Sequence, residues 1–324
     1  MLLAVVVAYV LFPWPMTPAR SFELVAHRGV HQTFPLDELT AETCTATLIY
    51  PPAHTFLENT IPSMREAFAR GATAVELDIH RTSDGNLVVF HDWALDCRTD
   101  GTGITNEQTL EYLQGLDIGY GYSADGGQTF PFCGKGVGMM PTLPEVLAAF
   151  PDKRFVIHNK DGGSETARLL IDLLATLPSE RRAQLYYWGN QQYPVLHERA
   201  PEMQKYIYDA GEARACLADY LVRMLVTGSL PEPCRQNLIG IPVGMLESIP
   251  GWPNLILVRA HQVGAKVFIT DVDTEKQLDA VTNLPIDGIQ TNRIEVIGPL
   301  LAVRAASAET AHRDPTSQTP ETGS

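Results

Sequence analysis

The sequence predicts an α/β fold: a (β/α)8 TIM barrel with a hairpin add-on and loops inserted at its catalytic face. Three observations lead there. Short apolar strands alternate with helical segments from Arg154 to Val303, the pattern of a mostly parallel sheet covered by helices. The chain has 324 residues, a length that suits one large α/β barrel or two domains. Residues capable of chemistry fall at or near the ends of several predicted strands, where such a barrel builds its site.

The chain opens with an apolar run, Leu2 to Phe12, followed by the breaker-rich Pro13–Pro18. The run is too short to span a bilayer. Its length matches the apolar region of a signal peptide, although no Lys or Arg precedes it. Residues 1–20 are therefore expected to be a signal peptide or membrane anchor, with a plain buried segment as the alternative. The protein would then be exported, periplasmic or anchored facing outside the cytoplasm, with membrane association through its N-terminus.

The barrel domain is expected over 21–304. Glu23–Ala26 reads as its first strand, ending in His27-Arg28-Gly29; Gly29 permits a sharp turn there. Residues 30–56 carry three prolines and no periodicity and read as an insertion or lid. Thr60 is a plausible N-cap, with Pro62 in the first turn of a helix to about Arg70 that Gly71 ends. The stretch Ala74–Asp92 follows. Glu76 and Asp78 are two apart, so on a strand they share a face. Two inward carboxylates repel each other and lose hydration unless a cation sits between them. Asp84-Gly85 marks a turn, and Leu87–Phe90 returns to deliver His91 and Asp92.

A Gly-rich loop covers about 101–140, either a substrate lid or a structural excursion. A helix starts at Pro141-Thr142-Leu143-Pro144, and Arg154–Lys160 is a strand with His158 and Lys160 on one face. An edge strand with solvated ends is the alternative for that last segment. Further strands are expected at 184–188, 205–208, 238–243, 266–270 and 288–291, interleaved with helices that include one at 213–226 and a last one at 294–303. Of nine strand candidates, eight would close the barrel and Leu87–Phe90 is the add-on. Residues 305–324 are rich in Ser, Thr, Pro and Glu and are expected to be a disordered tail.

The net charge of −14 makes nucleic acid a poor partner, and no Gly-rich phosphate loop or basic run is present. A phosphate-bearing substrate would need a metal or a few placed Arg and Lys residues. The five cysteines contain no CxxC pair. Cys216–Cys234 and Cys97–Cys133 are the expected disulfides, against the alternative of five isolated thiols.

His27, Arg28, Glu76, Asp78, His91, His158 and Lys160 suit metal-assisted attack on a phosphodiester. A cation and the basic side chains would neutralise developing charge, while two histidines handle protons. In order, His27-Arg28-Gly29, Glu58-Asn59-Thr60, Glu76-Leu77-Asp78 and His91-Asp92 resemble the motifs of the glycerophosphodiester phosphodiesterase (GDPD) family, in its bacterial exported or membrane-anchored type. PTLPEVL at 141–147, HQVGAKVFIT at 261–270 and DGIQTNR at 287–293 resemble its later segments more loosely.

The resemblance implies a TIM barrel that hydrolyses small glycerophosphodiesters to glycerol 3-phosphate and an alcohol. It implies His27 and His91 as the acid/base pair, Arg28 and Lys160 on the phosphate, and Glu58 and Asn59 ordering the substrate site. One divalent metal, calcium or magnesium in the family, would be held by Glu76, Asp78 and residue 158. The family usually has Glu-x-Lys where this chain has His158-Asn159-Lys160, and an imidazole there favours manganese or zinc. At 291–294 the chain has Thr-Asn-Arg-Ile in place of Thr-Asp-x-Pro, a change expected to affect the barrel rim more than the chemistry. Two further readings are a lysophospholipase D-like enzyme acting on lysophospholipid and a catalytically silent binding barrel.

Overall fold

Nine strands form one sheet in the computed structural model, which describes residues 22–36, 39–40, 43–189, 192–206, 216, 219 and 238–313. They are β1 (Glu23–His27), β2 (Ala74–Arg81), β3 (Leu87–Val89), β4 (Arg154–Asn159), β5 (Leu185–Trp188), β6 (Gln204–Lys205), β7 (Leu238–Pro242), β8 (Lys266–Thr270) and β9 (Gly288–Thr291). The order is β6-β5-β4-β2-β1-β9-β8-β7, every neighbouring pair is parallel, and β9 pairs with β1. Eight strands thus run around a nearly closed barrel. Among the described residues no pairing joins β6 to β7.

The hairpin strand β3 stands apart from this circuit. Ile79 of β2 pairs with Asn159 of β4 on one edge and antiparallel with Val89 of β3 on the other. That second edge carries β1 only as far as the His27–Glu76 pair. β3 therefore takes the edge of β2 that β1 has vacated, and this carries the chain to the carboxyl end of the barrel at His91.

Strand alternation sorts β2 into two faces. Val75, Leu77 and Ile79 point outward and pack with Met64, Ala67, Leu170 and other helix residues in the main core. Ala74 points inward beside Val25, Val156, Tyr186, Tyr206 and Phe268, which plug the barrel interior. Glu76 and Asp78 continue that inward row, above the apolar plug. Between the outer helices, Thr60 caps Ile61–Ala69 and Thr142 caps Leu143–Ala149, each in a capping box with Pro in the first turn. The expected turn at Gly71 has φ +97°, a left-handed conformation that glycine adopts freely.

The structure corrects three expectations. The region 101–140 is more than a loop: it holds a helix, Leu110–Gly115, and roofs a second core of Leu95, Leu113, Ile118, Tyr122, Phe132 and Met140 against Val88 and Phe90. Cys97 pairs with Cys44, not with Cys133, which is a free, exposed thiol. Cys216 is disulfide-bonded, and its expected partner, Cys234, lies outside the described residues. The closing helix runs Ile294–Arg313, well past Val303, so the first part of the expected tail is helical. The apolar N-terminal run, residues 314–324 and all of the predicted helix at 213–226 except Cys216 and Asp219, which are helical, also lie outside the described residues. Among those described, no helix is long and apolar enough to cross a membrane.

Candidate active site

The ladder register brings the site together. His27 on β1 lies opposite Glu76 on β2, and Asp78 lies opposite His158 on β4. Partners in a parallel ladder present side chains to the same face, so all four converge on the barrel mouth. Arg28 follows β1, Lys160 follows β4, and His91 follows β3.

Each acid has one oxygen held and one left open. Glu76 Oε2 accepts from the Arg28 backbone amide at 3.2 Å, with His27 Nε2 at 3.7 Å. Asp78 Oδ2 accepts from Asn59 Nδ2 at 2.9 Å, while Asn59 Oδ1 accepts from the Asp78 amide at 3.1 Å. The other oxygens, Glu76 Oε1 and Asp78 Oδ1, are buried without a hydrogen bond of good geometry. They face His158 Nδ1 at 3.3 and 3.0 Å. The three ligand atoms lie within 4.8 Å of one another. Two open carboxylate oxygens and an imidazole, buried together, are a donor set that fits a divalent cation. The His158 ring stacks on Trp188 at 3.9 Å and 11°, which fixes its plane.

Electrostatics follow from that crowding. Burial pushes the Glu76 carboxyl up, and Asp78 pushes it further. Burial also opposes ionisation of Asp78, but His91, Arg28, His158 and Lys160 outweigh it and hold its carboxyl well below the usual range. Burial works against a charged His158 as well, yet the Asp78 and Glu76 carboxylates close to its Nδ1 raise its proton affinity.

The two flanking histidines have different partners. His27 Nδ1 is 2.6 Å from Asn292 Oδ1, and Asn292 Nδ2 donates to Asp273 Oδ2 at 2.8 Å. That chain of bonds puts the His27 proton on Nδ1 and leaves the Nε2 lone pair facing the site. Burial, then Arg28 and His31, hold its pKa well below the ordinary value. The expectation that Asn292 matters mainly to the rim is corrected: its amide oxygen orients His27. His91 Nδ1 instead donates to the Asp92 carboxylate at 2.7 Å, and Nε2 accepts from Lys160 Nζ at 3.2 Å. Burial and Arg28 lower its pKa too, while Asp78 and Asp92 pull the other way.

Arg28 Nη1 donates to Glu58 Oε1 at 3.2 Å, and its Nε lies 3.4 Å from Asp78 Oδ2. Arg28 and Asn59 both adopt positive φ, 56° and 59°, a conformation uncommon outside glycine. Gly29 follows at φ +79°, and a Cβ there would sit 2.5 Å from Ser63 Oγ, so the turn admits only glycine. All nine residues singled out from the sequence thus meet at one cleft or directly behind it. The cleft, about 850 Å³, is lined by His27, Arg28, His91 and Lys160, and also by Phe34, Leu36, Leu39 and Trp93. Sequence reasoning missed Asp273 and Trp188, and it missed Arg98, which holds Asp92 at 2.7 Å. No periodic pattern marked any of them.

The model of the glycerophosphoryl diester phosphodiesterase family matches residues 27–167. A glycerophosphodiester phosphodiesterase of Caldanaerobacter subterraneus is 38% identical over 250 residues, 74% of this chain and 90% of that protein. The chain belongs to this family. It is a phosphoric diester hydrolase. Among solved structures, a family member from Agrobacterium tumefaciens superposes with a TM-score of 0.57 at 20% identity, covering 86% of this chain and 99% of that one. An Oleispira antarctica phosphodiesterase, solved with its product sn-glycerol-3-phosphate, superposes at 0.59 with 18% identity over 86% and 96% of the two chains. These two likenesses bear on the barrel fold.

Proposed function

We propose that this family member hydrolyses glycerophosphodiesters to glycerol 3-phosphate and an alcohol, using a divalent metal and a pair of histidines. The single observation that carries the reading is the different anchoring of two histidines at one cleft: each is held through Nδ1, His27 by an amide oxygen and His91 by a carboxylate. His27, with a free Nε2 lone pair, takes the proton of the attacking oxygen. His91 acts in its protonated form: Nε2 takes up a proton from solvent before the step and gives it to the departing alcohol oxygen, and Asp92 stabilises that imidazolium. Arg28 and Lys160 bind the phosphate oxygens; Glu58 and Asn59 hold Arg28 and Asp78 in place.

Glu76, Asp78 and His158 are the residues that would hold the metal, which supplies Lewis-acid neutralisation of the phosphoryl oxygens. His158 favours manganese or zinc over calcium or magnesium. The Oleispira product complex supports a glycerophosphodiester as substrate. A second reading, lysophospholipase D-like action on a lysophospholipid, is favoured by the apolar residues in the cleft lining, of which Leu36 and Trp93 are 54% and 50% exposed. Export, with the N-terminal run as signal or anchor, is supported by the Cys44–Cys97 disulfide and by bonded Cys216.

The test is turnover of glycerophosphocholine and lysophosphatidylcholine by chelated protein given calcium, magnesium, manganese or zinc. The expected result is no turnover after chelation and recovery best with manganese or zinc. His158→Glu should move the preference toward calcium or magnesium. Failure of every ion with every diester contradicts the reading, and an unchanged ion preference in His158→Glu removes His158 from the ligand set.

A further inference from the structure

Arg98 does not line the cleft, yet it touches the groups that orient the cleft's working side chains. Its side chain is 2% exposed. Nε donates to Asp92 Oδ2 at 2.7 Å, Nη1 to the Tyr122 hydroxyl at 2.7 Å, and Nη2 to Thr45 Oγ1 at 2.6 Å. Nη1 also forms an ion pair with Glu58 Oε2 at 3.1 Å. The second oxygen of each carboxylate goes to the site: Asp92 Oδ1 to His91 Nδ1 and Glu58 Oε1 to Arg28 Nη1. One guanidinium therefore joins the His91–Asp92 pair to the Glu58–Arg28 pair in an unbroken row of alternating charges.

The row is stapled covalently. Cys97 precedes Arg98, Cys44 precedes Thr45, and the two cysteines are bonded to each other. The disulfide thus lies one residue from both ends of the Arg98–Thr45 hydrogen bond and ties the 30–56 insertion to the segment after β3. A planar fork with several fixed donors suits this arrangement; a lysine keeps the charge but cannot reach four partners at once.

We propose that Arg98, braced by the Cys44–Cys97 disulfide, is a positioning residue that holds His91 through Asp92 in its proton-donating orientation. This rests on the reading of His91 as the general acid. Proton donation matters for a poor leaving group such as choline and matters little for p-nitrophenolate, which departs unprotonated. A general structural role would slow both substrates alike.

The experiment measures kcat and KM of wild type, Arg98→Lys, Thr45→Val and a Cys44→Ala/Cys97→Ala double variant on glycerophosphocholine and on the p-nitrophenyl ester of glycerol 3-phosphate. Arg98→Lys is expected to lose about a hundredfold in kcat on the choline ester and about tenfold or less on the nitrophenyl ester, with KM little changed. Thr45→Val and the double variant should show smaller losses skewed the same way. Equal loss on both substrates overturns the proposal, as does unchanged turnover. Where Arg98→Lys does not fold, the skew in Thr45→Val and in the double variant decides. Wild-type protein that turns over neither ester refutes the hydrolytic reading itself, which separates that failure from this one.

Discussion

The barrel mouth is built in two halves that fold by different means. The floor, with His27, Glu76, Asp78 and His158, sits on β1, β2 and β4, and hydrogen-bonded ladders fix its register. The wall, with His91, Asp92, Arg98 and Thr45, sits on irregular excursions, and a buried charge row with a disulfide fixes it. Floor residues are placed by strand period and need few specific partners. Wall residues are placed by one another, so loss of one buried partner leaves another charge uncompensated. The same contrast appears in the histidines: the floor's His27 is oriented by a neutral amide, the wall's His91 by a carboxylate. An amide leaves an imidazole neutral and fit to accept a proton. A carboxylate pulls toward the imidazolium, so Asp92 offsets part of the lowering that burial and Arg28 impose on His91 and steadies the ring when it carries the proton to be donated.

Substitutions can break this comparison at graded depths. The largest effect is expected from His27→Ala, which should lower kcat on glycerophosphocholine by about a hundredfold to ten-thousandfold, with circular dichroism unchanged. The loss should be similar on the p-nitrophenyl ester, because proton removal from the attacking oxygen does not depend on the leaving group. A strongly skewed loss would move His27 out of the base role.

A middle effect is expected from Asn292→Ala, which leaves His27 Nδ1 without its acceptor. Activity should fall about tenfold to a hundredfold, the range for an orienting partner one bond removed from the reacting group. Wild-type activity would show that the barrel alone orients the ring. Asn292→Asp sharpens the point: a carboxylate at that position should raise the proton affinity of His27 and move the acid limb of kcat/KM upward.

The smallest effect is a displacement of the wild-type pH profile. Burial and Arg28 depress His27, and a base with a depressed pKa stays active until the pH falls through that lowered value. The acid limb of kcat/KM should therefore lie below the ordinary histidine value of about 6.5. A limb at or above it would show that His27 is not the titrating base.

Most of the floor was legible in the sequence. Glu76 and Asp78 sit two apart in an apolar strand, His27 and His158 lie at or near strand ends, and each of the nine strand candidates overlaps an observed strand, the one at 205–208 only at Lys205. Period and capping are local signals, and the caps at Thr60 and Thr142 formed where their spacing placed them. The wall was far less legible. Cysteine spacing carries no connectivity, so Cys44 was overlooked as the partner of Cys97. Arg98 sits in a stretch without periodicity, and its partners come from positions 45, 58, 92 and 122, contacts that only the folded chain defines. Asn292 was read as a departure from a motif, whereas its meaning depends on Asp273, far from it in sequence and bonded to it in space.

The central claim is that two differently anchored histidines divide the proton transfers of phosphodiester hydrolysis. The most direct measurement is the turnover of His91→Ala on glycerophosphocholine and on the p-nitrophenyl ester, each relative to wild type. The account predicts a loss of about a hundredfold or more on the choline ester and a loss at least about tenfold smaller on the nitrophenyl ester. Equal losses on the two esters, or full activity of the variant, would contradict it.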